Sequence, residues 1–358
     1  GAQGVSDGEL RLAPQFLQYR LAEPANATIS QFAIPLFVSF PAGERLTFDI
    51  GSAYARSRVA TASGASEISG LTDTQLRGNL ALGGDFVVLT AGVNLPTGTS
   101  AVALDQLPAA GLIGNDFLGF PISSMGTGLA LTGGVAVARP VGAWNVGFGG
   151  AVRRATAYEP FELPGQTLRY QPGNEYRARV GADRTAGPGR VALGLTYSAF
   201  GKDDVDGSVY NTGARVIAQG GYSAVAGGRE MTVAAYNVFR APGSRASGEP
   251  TGRENIANLS ASVGFTALGT LVEPSVELRH WHQNVPAFTS GSTSTPARSQ
   301  SSVLGTAGLR TRVTLAGVRL FPSAGYTVGS LPTSDAAGMP ARARMTGFRA
   351  QLAMRVGQ

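Results

Sequence analysis

The chain has 358 residues, of which 50 are glycine and 15% are charged, and it contains no cysteine. The absence of cysteine excludes disulfide bonds and thiolate metal sites, and no run of about 20 apolar residues is present that would form a membrane-spanning helix. The net charge of +6 comes from arginines scattered along the chain, with Lys202 as the one lysine, so the dense basic patch of a nucleic-acid-binding protein is not expected.

Segments in which polar and apolar residues alternate follow one another along the chain, a pattern typical of β-strands with two different faces. Because the two faces meet different surroundings, the repetition predicts an antiparallel transmembrane β-barrel with lipid outside and a lumen inside. We predict about sixteen strands, and merging the weaker segments gives an alternative barrel of 14. The predicted strands are 9–19, 28–40, 45–57, 71–83, 85–95, 125–139, 143–154, 170–183, 189–200, 208–224, 229–239, 254–267, 271–283, 301–314, 316–329 and 341–356.

The connections between the predicted strands alternate in length. Those after even-numbered strands are short and rich in turn-forming residues, as in Pro41-Ala42-Gly43-Glu44 and Leu268-Gly269-Thr270. Outer-membrane barrels have short periplasmic turns and long extracellular loops, whereas a soluble β-sandwich does not sort its loops in this way. We therefore predict an all-β fold, with a single barrel domain over residues 1–358, in the outer membrane of a Gram-negative-type bacterium. The long connections, after odd-numbered strands, are 58–70, 96–124, 155–169, 240–253, 284–300 and 330–340.

Charged and amide side chains recur on the predicted inner faces of the strands, and arginine is the most frequent of them. A basic lumen favours the passage of anions or of solutes that carry a carboxylate. The alternative is a network of cross-strand pairs between arginines and acids that braces the wall, and the two roles are compatible. The candidate lumen residues are Asp73, Gln75, Arg77, Asn79, Arg153, Arg177, Arg179, Arg215, Glu273, Glu277, Arg279, Arg310, Arg312, Arg319 and Arg349.

The long connection 96–124 is unusually apolar for an exterior loop. An apolar loop is unfavourable in water, so we expect this one to fold into the barrel as a constriction or to cover the mouth as a gate. A third interpretation is that it docks a partner or a lipid. The candidate constriction residues are Asp105, Leu112, Ile113, Asp116, Phe117 and Phe120.

His280 and His282 are the only histidines, and they flank Trp281 in a predicted strand. Their side chains lie about 7 Å apart on one face, and they would need carboxylates to complete a metal site. We favour a different interpretation, an aromatic girdle at the outer interface that contains Trp281, with Trp144 in the girdle at the opposite interface. No metal or cofactor is expected. Because no nucleophile elbow or suitably placed serine is present, we expect no enzyme activity.

Two short motifs resemble a known family. Gly70-Leu71-Thr72-Asp73-Thr74 opens one strand, and Asn94-Leu95-Pro96-Thr97-Gly98 ends the next strand, after a tight Gly83-Gly84-Asp85 turn. The pair is similar to the "meta-pathway of phenol degradation" family of outer-membrane proteins, which resemble the long-chain fatty-acid channel. The resemblance implies a barrel that imports aromatic or other hydrophobic compounds. A plain strand-ending turn also explains the proline and glycine of the second motif.

The predicted function is passive passage of small solutes across the outer membrane. Lumen charges would set the charge preference and loop 96–124 the size limit, for hydrophobic, aromatic or anionic compounds; an aromatic carboxylate satisfies all three. The alternative is a structural barrel with a plugged lumen that binds another envelope component. The expected partners are membrane lipid and a small solute, with an envelope protein in the alternative case and no nucleic acid.

Overall fold

In the computed structural model, which describes residues 8–84, 86–267, 269–290, 293–334 and 340–356, the strands form one closed antiparallel barrel. The first strand pairs with the last, as Leu17 lies opposite Arg349, and this pairing closes the sheet. The described residues contain sixteen barrel strands, so the prediction of sixteen is confirmed and the 14-stranded alternative is wrong. In a closed barrel the backbone N–H and C=O groups of every strand bond to neighbouring strands, so no unpaired edge is left in the membrane.

The strand bounds reach beyond the predicted ones at many ends. Two strands are interrupted, the first at Pro14, which cannot donate to the ladder, and the fourth at Thr72-Asp73. In chain order the barrel strands are β1 (Glu9–Leu12 and Gln15–Leu21), β2 (Ala27–Pro41), β3 (Leu46–Thr61), β4 (Gly64–Leu71 and Thr74–Leu82), β5 (Val87–Leu95), β6 (Ala130–Val141), β7 (Trp144–Ala155), β8 (Glu175–Ala186), β9 (Gly189–Phe200), β10 (Arg215–Ala226), β11 (Arg229–Arg240), β12 (Arg253–Ala267), β13 (Thr270–Val285), β14 (Arg298–Leu315), β15 (Val318–Ser334) and β16 (Pro340–Val356).

The elements outside the barrel wall belong to the long connections. A helix, α1 (Leu107–Ile113), lies between β5 and β6. None of the helices in the described part of the chain has the length and hydropathy needed to cross a membrane. Two small sheets lie in other long connections. One joins Tyr170–Gln171, between β7 and β8, to Lys202–Val205 and Ser208–Asn211, between β9 and β10. The other pairs Phe288–Ser290 with Thr293–Thr295, between β13 and β14.

The predicted difference between short turns and long loops holds at most connections. Two-residue turns join β6 to β7 at 142–143 and β8 to β9 at 187–188. The predicted loop 58–70 is wrong, because β3 and β4 run through it as a hairpin with its turn at 62–63. Its serines and alanines resemble loop composition, but the segment alternates between a buried inner face, with Ser66 and Ile68, and an exposed outer face. Predicted turn residues Asp85 and Leu268, and part of loop 330–340, lie outside the described residues.

Two predicted strands begin too early. Residues 170–171 and 208–211 belong to the extracellular sheet, and the barrel strands begin only at Glu175 and Arg215. Extended hairpins outside the membrane have the same alternation as barrel strands, so the sequence pattern does not mark where the wall begins.

The outer surface of the barrel is apolar. On β2, Phe32, Leu36 and Phe40 point outward and are exposed, whereas the alternate residues Gln31 and Ala33 point inward and are buried. Exposed apolar side chains around a closed barrel are stable in contact with lipid. The chain is therefore an outer-membrane β-barrel, as the alternation predicted.

Candidate functional site

The connection between β5 and β6, residues 96–129, folds into the barrel, and we call it the inner loop. Phe117, Leu118 and Phe120 are buried there in one cluster with inward-facing residues of the wall, and Ile113 and the partly buried Leu112 of α1 join it. Burial removes these apolar side chains from water, the reason for which the loop was expected to fold inward. The wall residues of the cluster are Leu17, Tyr19, Ile29, Ala33, Ala55, Val59, Ile68, Ile256, Trp281, Leu304 and Met345.

Wall side chains satisfy the irregular backbone of the inner loop. The amide of Gln31 accepts from the Ile122 backbone N–H at 2.9 Å and donates to the Ile122 carbonyl at 2.7 Å. Tyr19 donates to the Leu118 carbonyl at 2.8 Å, and Arg279 donates to the Phe117 carbonyl at 2.7 Å. Because buried backbone groups without partners are costly, these bonds fix the loop at one height in the barrel.

Asp73 fastens the two ends of the inner loop to the wall. One carboxylate oxygen accepts from the Gly98 backbone N–H at 3.1 Å, and the other accepts from the Thr127 backbone N–H at 2.7 Å and from Asn94 at 2.8 Å. Asp73 is 7% exposed, so it does not face lumen water as a selectivity residue should. Its predicted selectivity role is therefore replaced by an anchoring role.

The two motifs of the family resemblance form one structural unit at this anchor. Asp73 and Thr74 of the first motif contact Asn94, Thr97 and Gly98 of the second, with Thr97 accepting from the Thr74 backbone N–H at 2.8 Å. A Cβ at position 98 would overlap the Met125 carbonyl and the backbone of 72–73, so the close approach requires glycine. The second motif therefore starts the inner loop and does more than end a strand.

The inner loop lies against one side of the barrel. Inward residues near the outer ends of β1–β4 and β12–β14, such as Ile29, Ile68 and Trp281, are buried beneath it. Nearer the periplasmic end of the same strands some inward arginines are exposed, such as Arg310 at 53%. On β8 and β9 the side chains of Arg177 and Arg190 are 47% and 62% exposed, and Arg179 is also exposed. The same wall has inward-facing glycines, such as Gly147 and Gly181, that leave space. An exposed side chain that points into a barrel borders water, so water-accessible space, which we call the gap, borders this wall.

Acids of the lumen are held by arginines and amides. Glu277 accepts from Asn258 and Arg279, both at 2.6 Å, and Arg349 lies 3.4 Å away. Glu273 accepts from Arg310 at 2.5 Å. Such pairs neutralise the carboxylates and brace the wall. These residues border a cavity of about 370 Å³ beneath Gly119 and Pro121 of the inner loop, lined also by Ser260, Ser275, Thr306 and Thr327.

The remaining arginines of the predicted lumen set differ in their partners. Arg177 pairs with Glu175 at 2.6 Å, and Arg312 lies 4.0 Å from Glu230. Arg77 and Arg179 have no ion-pair partner among the residues that the structure describes. The other members all lie on inward-facing positions, and these are Gln75, Asn79 (bonded to Asp49), Arg153 (bonded to Thr127), Arg215 and Arg319.

The two acidic residues of the inner loop, Asp105 and Asp116, have different surroundings. Asp116 pairs with Arg240 of β11 at 3.2 Å, which ties the loop to the wall beside the gap. The Asp105 side chain is exposed, and its backbone carbonyl accepts from Ser66 at 2.6 Å.

The girdle interpretation of Trp281 is wrong. Trp281 points into the barrel, is 9% exposed, stacks 6.0 Å from the ring of Phe117 and donates to Glu254 at 2.6 Å. His280 and His282 therefore point outward. Trp144 lies on the outer face, with the guanidinium of Arg184 4.8 Å from its ring centre. No cluster of three or more metal-ligating side chains occurs in the described ranges.

Aromatic residues missed by the sequence analysis form an outward-facing row on one side of the barrel, from β15 to β3. Phe16, Phe32, Tyr54, Tyr326 and Phe348 point outward on neighbouring strands, and all of them except Phe16 are more than a third exposed. The row depends on the register between neighbouring strands, which the sequence alone does not show.

No family model matches the chain, and no curated protein matches it. Solved structures that are similar to it are outer-membrane channels and porins. They include the COG4313 outer membrane channel from Pseudomonas putida F1, with 12% identity, 99% of this chain and 96% of the other covered, and a TM-score of 0.40. The outer membrane protein opdK from Pseudomonas aeruginosa has 10% identity over 99% and 100% of the chains and a TM-score of 0.47. The anion-selective porin from Comamonas acidovorans has 13% identity over 97% and 99% and a TM-score of 0.45.

Proposed function

We propose that this protein is a passive channel for small anionic solutes, which pass through the gap between the inner loop and the wall of β7–β10. The observation that carries the proposal is the pairing pattern of the lumen charges. Arg179 is exposed in the gap without an acid partner among the described residues, whereas Glu273 and Glu277 on the opposite side are held by arginines. Ions that pass through the gap therefore meet a wall on which a positive charge is not neutralised.

The gap would act by electrostatics alone, without a covalent step. A narrow passage between low-dielectric walls strengthens the field of its charges and raises the local concentration of the opposite charge. Arg177 and Arg179 lie on one strand at positions two residues apart, so they present successive guanidinium groups along the path. A carboxylate can move from one to the next without being trapped, the condition for conduction.

Within this class we propose an aromatic carboxylate as the preferred solute. Its carboxylate matches the arginines, and its ring matches the family resemblance of the two anchor motifs. Tyr236 points into the lumen and is 37% exposed, so an aromatic face is available beside the gap. The hydroxyl-lined cavity beneath the inner loop offers hydrogen-bond donors for the same group.

Flux into liposomes that contain the purified protein tests this proposal. We expect benzoate to enter faster than uncharged benzamide, and benzamide faster than benzylammonium. Replacing the unpaired arginine of the gap (Arg179→Gln) should reduce the benzoate preference several-fold. Arg184→Gln, on the outer face, is the matched control and should change nothing. Equal entry of all three solutes into wild-type liposomes would contradict the anion preference.

The second candidate is a plugged barrel that anchors or binds another envelope component. The observation that favours it is the buried cluster of the inner loop, which fills the lumen along β1–β4. The same flux measurement separates the two candidates, because a plugged barrel admits none of the solutes.

A further inference from the structure

The outer face of the barrel has a group of arginines beyond its apolar band. Arg20 on β1, Arg58 on β3 and Arg344 on β16 are all exposed and point outward. The register brings them close together: Arg20 lies opposite Thr28 of β2 on one side and Thr346 of β16 on the other. We call these three arginines the basic face.

The basic face lies just beyond the outer aromatic residues. Phe16 precedes Arg20 by four positions on β1, and Phe348 follows Arg344 by four on β16. Four residues of a strand span about 13 Å, so the guanidinium groups lie at the depth of the lipid headgroups when the aromatic residues lie at the interface. Because β1 and β2 join there through a loop of the extracellular set, this is the outer leaflet.

The charges of the basic face are not balanced within the described protein. Nearby Arg56 is held by Glu67 through two hydrogen bonds of 2.8 and 2.9 Å, and Arg342 donates to Ser330 and Ser301. In contrast, no ion pair or hydrogen bond of the side chain is found for Arg20, Arg58 or Arg344 in the described ranges. Arg58 lies opposite Glu67, the acid that already pairs with Arg56, so one carboxylate serves two arginines and the group keeps a net positive charge. A net positive charge at a headgroup surface favours an anionic partner.

The arginines are grouped most closely on β16, β1 and β3; elsewhere at this end, β7 and β12 each hold a single outward arginine, Arg154 and Arg253. At the same end of β8–β11 the outward positions hold Tyr176, Tyr197, Val216 and Phe239, and no arginine. A general attraction to the membrane would be met by single charges spread around the rim, so the grouping of three arginines within four neighbouring strands points to a bound molecule.

We propose that the basic face binds the phosphate groups of a phosphorylated glycolipid in the outer leaflet. Arginine binds phosphate with two parallel hydrogen bonds. The outward hydroxyl and amide groups of Gln18, Thr28, Ser30 and Thr346 lie between the arginines and can bond the sugar. From β16 to β3 the group spans three strand spacings, about 14 Å, a width that fits a headgroup with more than one phosphate.

The inside of the wall makes the basic face rigid. Directly behind it, Tyr19, Ile29, Val59 and Met345 are buried against one another and the inner loop. A site on packed strands loses little conformational freedom when a ligand binds, which favours affinity.

Native mass spectrometry of the purified protein in detergent tests the proposal with lipid A as the probe. We expect wild-type protein to retain lipid A, and to bind its dephosphorylated form and phosphatidylglycerol at least ten times more weakly. The triple variant Arg20→Gln, Arg58→Gln, Arg344→Gln should lose on the order of a hundred-fold in affinity for lipid A. Arg154→Gln, an exposed outward arginine at the same end of β7, is the matched control and should bind as wild type does.

Two results would overturn the proposal. One is equal binding of lipid A and its dephosphorylated form by the wild-type protein, a comparison that needs no variant to fold. The other is an unchanged affinity in a triple variant whose heat-modifiable mobility on gels shows a folded barrel.

Discussion

At the scale of single residues, one carboxylate organises the interior. Asp73 accepts hydrogen bonds from both ends of the inner loop, from Gly98 and Thr127, and from Asn94 of β5. All of its donors are N–H or O–H groups, so both oxygens must remain acceptors. The sequence showed Asp73 as one of several polar residues on a strand face, and its partners lie up to 54 positions away. Long-range partners of this kind are not visible in a local pattern.

We predict that Asp73→Asn loosens the inner loop. The amide NH₂ would face backbone N–H donors, and a buried donor left unsatisfied costs about 1–3 kcal/mol. Limited proteolysis of the purified protein should then cut within 96–129 several times faster than in wild type. Asp105→Asn, whose side chain is exposed, removes the same charge and should leave the cleavage rate unchanged. Equal cleavage of Asp73→Asn and wild type would disprove the anchoring role.

At the scale of elements, the strands were predictable and the orientation of one aromatic side chain was predicted wrongly. Alternation gave the sixteen strands because each barrel strand separates two solvents. On β13 the same alternation placed Glu277 and Arg279 inward, as the structure has them, and Trp281 is the next residue of that face. Continuing the alternation would have placed Trp281 inside; the preference of tryptophan for interfaces led to the error. The hairpin at 58–70 was missed because its inward residues meet the inner loop, a contact that no local pattern shows.

The inner loop is the element that should limit flow. We predict that replacing residues 104–124 with a short glycine-serine linker raises the single-channel conductance several-fold, because it removes the side chains that fill the lumen beside β1–β4. The barrel should still fold, since its strand pairing does not include these residues. A similar replacement of 242–250, in the extracellular connection between β11 and β12, is the control and should leave the conductance near the wild-type value. An unchanged conductance without 104–124 would show that the constriction lies elsewhere.

At the scale of the whole molecule, the barrel has two unlike halves. One half is filled at its outer end by the inner loop and holds the pairs of Glu273 and Glu277 with arginines, and the other has small inward residues and the exposed Arg179, for which the described residues provide no ion-pair partner. The arginines on the predicted inner faces of the strands predicted a basic lumen. They did not predict this division, because which arginines are neutralised depends on pairing between strands that are distant in sequence.

The most direct test of a water-filled, positively charged path is single-channel recording of the purified protein in a planar bilayer with a salt gradient. The account predicts discrete conductance steps and a reversal potential displaced toward that of the anion, with the displacement reduced in Arg179→Gln. Absence of any conductance, or a reversal potential on the cation side, would contradict it.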